Sequence, residues 1–203
     1  MTTLQIALLI TYFICAIPFG FILSRVFLKM DLRKMGSGGT GATNALRTGN
    51  KTVAAATLAL DALKPIFSFG LGITLFPELA ESFAFKSWLA IVAVFAHCYP
   101  VYLGFKGGKG AATAWGTMYL FSTFFALAVI GTWLAILTAF KKSSLAAMST
   151  LPLAIIYAYL FSGAAVMYTY LMVALIVVIR HKDNIRRLLA GTEDKVKLKA
   201  KKK

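Results

Sequence analysis

No charged side chain occurs between Ala111 and Phe140, and that run limits the chain to few folds. A helix crosses the hydrocarbon core of a bilayer with about 20 apolar residues. Further apolar runs of comparable length are Leu4–Leu28, Thr52–Phe76, Ser87–Leu103, Leu145–Phe161 and Ala164–Ile179. Of the 203 residues, 59% are hydrophobic and 14% charged, against about 25% charged in soluble domains. Folding cannot hide that much apolar surface, so lipid must cover it. The expected fold is all-α, a polytopic membrane helix bundle. Residues 1–203 form a single integral membrane domain, with a basic cytoplasmic tail at 192–203. The N-terminus is apolar from Leu4, with neither a basic leader nor a small-residue cleavage site, and reads as a retained span.

The net charge of +15 would point to nucleic acid in a soluble protein. Here the cations flank apolar runs, as topology determinants and headgroup contacts do. Membrane lipids are therefore the expected partners, and nucleic acid is not. As one helix, Ala111–Phe140 would export Lys141, Lys142 and all the cations from Arg180 to Lys203. Splitting the run near Leu120–Thr123 returns them to the cytoplasm with Arg25, Lys29, Arg33, Lys34, Lys51 and Lys106. The loop 77–86, with Glu78 and Glu81, then faces outward. The positive-inside bias thus predicts about seven transmembrane helices, N-terminus out and C-terminus in. The fourth, Ala111–Leu120, would be only about 15 Å long. On this topology the loops 35–51 and 104–110 and the segment after Arg180 share one face.

Two of those segments are rich in glycine. Gly36-Ser37-Gly38-Gly39-Thr40-Gly41 fits the pattern G-x-G-x-x-G, but a membrane helix precedes it, so a dinucleotide fold does not follow. Ala42 stands where a P-loop carries lysine. The physics common to both motifs remains: glycines let successive N–H groups turn onto an anion at a helix start. Arg47 lies a turn beyond Thr43, where its guanidinium can fork onto phosphate oxygens. Gly107-Gly108-Lys109-Gly110-Ala111-Ala112-Thr113-Ala114 echoes Gly38-Gly39-Thr40-Gly41-Ala42-Thr43-Asn44-Ala45, glycines included. Two phosphate cradles are the functional reading. A flexible interhelical loop and a coincidence of small residues are the alternatives.

Elsewhere, Asp61 and Lys64 share a helix face just before Pro65. Ionisable groups at that depth face a polar interior, either neutralising one another or serving a site. His97 is expected to make an interhelical hydrogen bond. His181, Asn184 and Arg187 recur every three residues along one face of a continued helix, which Gly191 can end. Cys15 and Cys98 read as buried small hydrophobes. Neither a metal-ligand cluster nor a nucleophile–base arrangement is visible, so a membrane enzyme built this way would do best with a substrate already activated.

Three motifs together resemble the bacterial acyl-phosphate:glycerol-3-phosphate acyltransferases. They are Gly36–Asn44, His97-Cys98-Tyr99-Pro100 running into Phe105–Gly110, and His181–Leu188 with Gly191 and Glu193. Thr40 stands where the family usually carries asparagine. The resemblance covers nearly the whole chain. It implies transfer of a fatty acyl group from acyl phosphate to the primary hydroxyl of glycerol 3-phosphate. The products are lysophosphatidic acid and phosphate, the first committed step toward phospholipids, made in the bacterial cytoplasmic (inner) membrane. No cofactor, no metal and no obligate protein partner are expected. By position, Ser37, Arg47, His181 and Asn184 would be catalytic. Gly36, Gly38, Gly41, Thr43, Asn44, Lys106, Gly107, Gly108, Lys109, Gly110 and Arg187 would bind substrate. Asp61, Lys64, His97 and Glu193 would be structural. The base is His181 or a substrate phosphate, with the phosphate favoured because no base–orienter pair is visible. A transporter for a phosphorylated metabolite and a non-catalytic lipid scaffold are the rival readings. A transporter would need polar groups spread through the membrane depth.

Overall fold

The computed structural model describes residues 1–196, and every regular element among them is helical. Most of the basic tail therefore lies outside the described residues. The first apolar run is not one helix but two, α1 (Thr3–Ala16) and α2 (Phe19–Leu28). Pro18 has no N–H to continue the ladder and breaks it. A short helix α3 (Ala42–Leu46) leads into α4 (Lys51–Leu75), capped by Asn50 accepting from the Val53 N–H at 2.9 Å. Next come α5 (Phe83–Cys98), capped by Ser82, and α6 (Ala111–Met118). The third apolar run thus ends its α-helix at Cys98, and Val101–Leu103 is a 3₁₀ turn after Pro100.

The uncharged run divides between Met118 and Thr123. Ser122 accepts the Phe125 N–H and caps α7 (Thr123–Phe140). Then follow α8 (Ser143–Ser162), α9 (Ala164–Arg180) and α10 (Lys182–Leu189), the last bent 67° from α9. Five stretches are long and apolar enough to cross a membrane: Thr3–Leu28, Lys51–Leu75, Phe83–Leu103, Thr123–Phe140 and Ser143–Ser162. Counting α9 with α10 gives a sixth, and α6 is too short. Exposed side chains such as Phe27, Phe67, Phe124 and Leu160 turn outward, as a lipid-facing surface requires.

Two apolar clusters hold the bundle. One surrounds Phe125, Tyr170 and Val173 and joins α5, α6, α7, α8 and α9. The other packs Ala7 and Cys15 of α1 against Phe85 and Leu89 of α5, with Leu4 and Phe76 at its edge. That second cluster places the N-terminus beside the far end of α4, away from Lys51. Close approach of α6 to α4 depends on Gly116, where a Cβ would fall on the Ala62 carbonyl and against Pro65. The second half of α6 is thereby fixed against the middle of α4.

Candidate active site

The first glycine-rich loop is organised by one buried amide. Asn44 donates through Nδ2 to the carbonyls of Leu32 (2.8 Å), Met35 (3.1 Å) and Gly39 (2.8 Å). Its Oδ1 accepts the Ser37 N–H at 3.2 Å. The side chain is thus engaged by the loop it shapes, leaving the exposed Ser37 hydroxyl at the rim. Arg47 packs over Gly36, whose φ of +52° and missing Cβ make room for it. Arg47 also reaches Asp194 at 3.2 Å. Thr43 shares a hydrogen bond of 2.9 Å with Ser143, tying the loop to the start of α8.

The second loop departs from the expected cradle. The Gly107 N–H donates to the Cys98 carbonyl (3.2 Å) and the Gly108 N–H to the His97 carbonyl (3.1 Å), so neither is turned toward an anion. These glycines are needed for contact: a Cβ on Gly107 would fall on the His97 carbonyl and Pro100, and one on Gly108 on the His97 ring. What remains for a ligand is Lys109 and the first turn of α6, whose N–H groups have no partner within the helix. Lys106 is exposed and does not line the cavity.

The third segment closes the site. The His181 Nδ1–H donates to the Val177 carbonyl at 2.8 Å, which leaves Nε2 as an acceptor. Lys109 Nζ donates to Asn184 Oδ1 at 2.5 Å, and Asn184 Nδ2 donates to Glu193 at 2.6 Å. Glu193 also accepts from Ser144 (2.6 Å) and Arg187 (2.7 Å). Burial would raise its carboxyl, but these hydrogen bonds outweigh it and hold the group below the ordinary glutamate range. Burial pushes the His181 imidazole down to about 4, so it is neutral at pH 7. Burial also pushes the Lys109 ammonium down to about 8, with Glu193 acting against it and Arg187, Arg47 and Arg180 acting with it.

Beneath the second loop lies a buried polar cluster. Lys64 Nζ bonds to Asp61 Oδ1 at 3.1 Å and to His97 Nδ1 at 2.8 Å, linking α4 to α5. It also reaches the Ile17 carbonyl at 3.4 Å, at the proline break.

These segments enclose one cavity of about 430 Å³. Ser37, Arg47, Lys109, His181 and Asn184 line its polar end, and Asp61 and His97 also touch it. Its other walls are apolar: Ala54 and Leu58 of α4, Trp115 of α6, and Trp133, Leu134 and Leu137 of α7. Leu58 and Leu134 are also exposed, so the apolar part of the wall is open rather than sealed. Gly36, Gly38, Gly107, Lys64 and Arg187 do not line the cavity. Sequence reasoning missed Trp115 and Trp133, which pack edge to face at 4.9 Å, and took Arg180 only for a topology charge. The tryptophans lay in an apolar run without further signal, whereas Arg180 directly precedes His181.

The glycerol-3-phosphate acyltransferase family model matches residues 5–191. The chain is 43% identical to a glycerol-3-phosphate acyltransferase of Mesorhizobium japonicum, over 95% of this chain and 96% of that protein. It is 41% identical to one of Bordetella pertussis, over 93% and 90%. The crystal structure of PlsY (YgiH), an integral membrane glycerol 3-phosphate acyltransferase, in its glycerol 3-phosphate form superposes with a TM-score of 0.86. Identity is 30%, with 96% of each chain covered. Its lysophosphatidic acid form superposes at 0.83, with 29% identity and 96% and 95% covered. With a sequence match along almost its whole length and the same helical fold, the chain belongs to the glycerol-3-phosphate acyltransferase family.

Proposed function

We propose that this protein transfers a fatty acyl group from acyl phosphate to the primary hydroxyl of glycerol 3-phosphate, releasing lysophosphatidic acid and phosphate. The observation that carries the reading is the two-ended cavity: cations and hydrogen-bonding groups at one end, apolar and partly exposed side chains at the other. That is the shape of a site for a long tail with an anionic head. Family membership supports the acceptor, and the crystal forms of the related enzyme carry glycerol 3-phosphate and lysophosphatidic acid.

Acyl phosphate suits a site without a nucleophile, because its phosphate is already a good leaving group. Arg47 and Ser37 hold the donor phosphate, while Lys109, Asn184 and the first turn of α6 hold the acceptor. The hydroxyl attacks the acyl carbon, the bond from that carbon to the phosphate oxygen breaks, and the hydroxyl proton ends on phosphate. His181 Nε2 accepts the hydroxyl's hydrogen bond and aims it. An imidazole held near 4 is a weaker base than a phosphate whose second ionisation lies near about 6, so the phosphate takes the proton. Alignment of the two reactants supplies most of the rate, on the order of 7–11 kcal/mol in well-oriented cases.

The cationic loops lie at the end of the bundle away from the N-terminus, which favours seven membrane segments with α6 as the short fourth, N-terminus outside and the site at the cytoplasmic face. The test is purified protein in detergent, given a long-chain acyl phosphate and glycerol 3-phosphate. Phosphate and lysophosphatidic acid appear in equal amounts, and acyl thioesters give no product. Product from thioesters alone refutes the donor, and no product from either refutes the enzyme.

A further inference from the structure

Lys109 sits between Gly108 and Gly110, whose φ is +88°, with no helix or strand to fix it. Its place is therefore set by whatever holds the peptide units just before it. We propose that Arg180 is a positioning residue for Lys109. Arg180 Nε donates to the Gly108 carbonyl at 3.1 Å and Nη2 to the Gly107 carbonyl at 3.0 Å. The guanidinium also lies over the Tyr99 ring, 5.0 Å from its centre. Its fork engages two acceptors in a fixed plane, which a lysine ammonium cannot reproduce.

The opposite side of the loop is held as firmly. The N–H groups of Gly107 and Gly108 donate to the carbonyls at the end of α5, and the His97 ring that abuts Gly108 is itself bound by Lys64. Gly107 and Gly108, the two residues ahead of Lys109, therefore each have N–H and C=O engaged, the carbonyls by Arg180. Arg180 is also the residue before His181, so one residue links the loop that carries Lys109 to the imidazole that lines the same cavity. Arg180 does not line that cavity. Its influence on the reaction runs through Lys109.

This inference rests on the acyl-transfer reading, and the wild-type enzyme's turnover tests that reading first. A double-mutant cycle then tests the clamp, using Arg180→Gln, Arg180→Lys, Lys109→Gln and the combinations. A misplacement of about 1 Å can cost about 100-fold in rate. The expected result is a loss of tenfold or more in kcat/KM for the acceptor in Arg180→Gln, with a smaller change in kcat/KM for the donor. Arg180→Lys fails to restore it. In the Lys109→Gln background, Arg180→Gln costs less than about twofold further. Equal losses in both backgrounds, full activity in Arg180→Gln, or rescue by Arg180→Lys would each overturn the proposal. Calorimetric binding of glycerol 3-phosphate reads the same cycle if turnover is too slow in Lys109→Gln. Arg180→Lys keeps the charge and stem, so its binding decides the matter if Arg180→Gln does not fold.

Discussion

Arg47 Nη2 lies 3.2 Å from the Asp194 carboxylate, across the mouth of the cavity. Asp194 keeps 73% of its side-chain surface exposed, so solvent screens the pair and its worth is within about 0–1 kcal/mol. An incoming dianionic phosphate outcompetes such a partner. Asp194→Asn is expected to leave kcat unchanged and lower the KM for the ligand that Arg47 binds by up to about fivefold. Steady-state kinetics with each substrate varied in turn checks this and identifies which phosphate Arg47 serves. A raised KM for either substrate, or a lowered kcat, would show that Asp194 assists the site rather than competing for Arg47.

Glu193 stands in contrast to its neighbour. It is buried and accepts from Ser144, Asn184 and Arg187. Glu193→Ala strands those donors and should cost about 2–4 kcal/mol of stability, read as a lower melting temperature in detergent. Because the folded carboxyl titrates below its unfolded value, its contribution is present above the ordinary glutamate range and lost as pH falls through the folded value. Acidification should destabilise the wild type more than Glu193→Gln.

With phosphate as the base, the acid limb of the pH–rate profile belongs to that phosphate, at about 6, and not to His181. His181 moves its own titration to about 4, and Lys109 places the basic limb near 8. The ammonium is charged below that value and loses its charge above it, so acceptor affinity falls as pH rises. Lys109→Arg keeps its charge at all working pH and should abolish the basic limb. His181→Gln should lower the rate and leave both limbs in place. A basic limb that persists in Lys109→Arg belongs to another group.

Trp115 and Trp133 form a thin wall at the apolar end. Behind them lies a second void of about 20 Å³, bordered by Met118, Val129 and Ala154. Trp115→Leu should join the two spaces and shift donor preference toward longer chains, scored with a series of acyl phosphates in competition. An unaltered chain-length profile would show that the tail leaves between Leu58 and Leu134 without meeting the tryptophans.

Much of this arrangement was legible beforehand, for identifiable reasons. Lys141 and Lys142 required the uncharged run to divide, and Ser122 caps the second half close to where the charges demanded a break. Ser37, Arg47, Lys109, His181 and Asn184 were singled out along distant stretches of chain and line one cavity. Other features were hidden by physics that a linear reading does not carry. The first run looked continuous because Pro18 was outweighed by its apolar neighbours. Lys106 and Lys109 look alike in sequence, and only the fold turns one outward and the other in. Glycine serves both to present N–H groups and to admit close neighbours. Gly107 and Gly108 do the second, because the His97 ring and carbonyl occupy the space a side chain would need. His97 meets Lys64 across two helices, a partnership with no local signature.

Leu58 and Leu134 line the cavity and stay exposed in a chain whose outer face is apolar. A molecule that gains its tail here already touches hydrocarbon, so its departure needs neither a carrier nor a passage through water. Output then spreads as two-dimensional diffusion within one leaflet. Its ceiling would be set by how crowded and fluid that leaflet is, linking the rate of membrane synthesis to the physical state of the membrane being built.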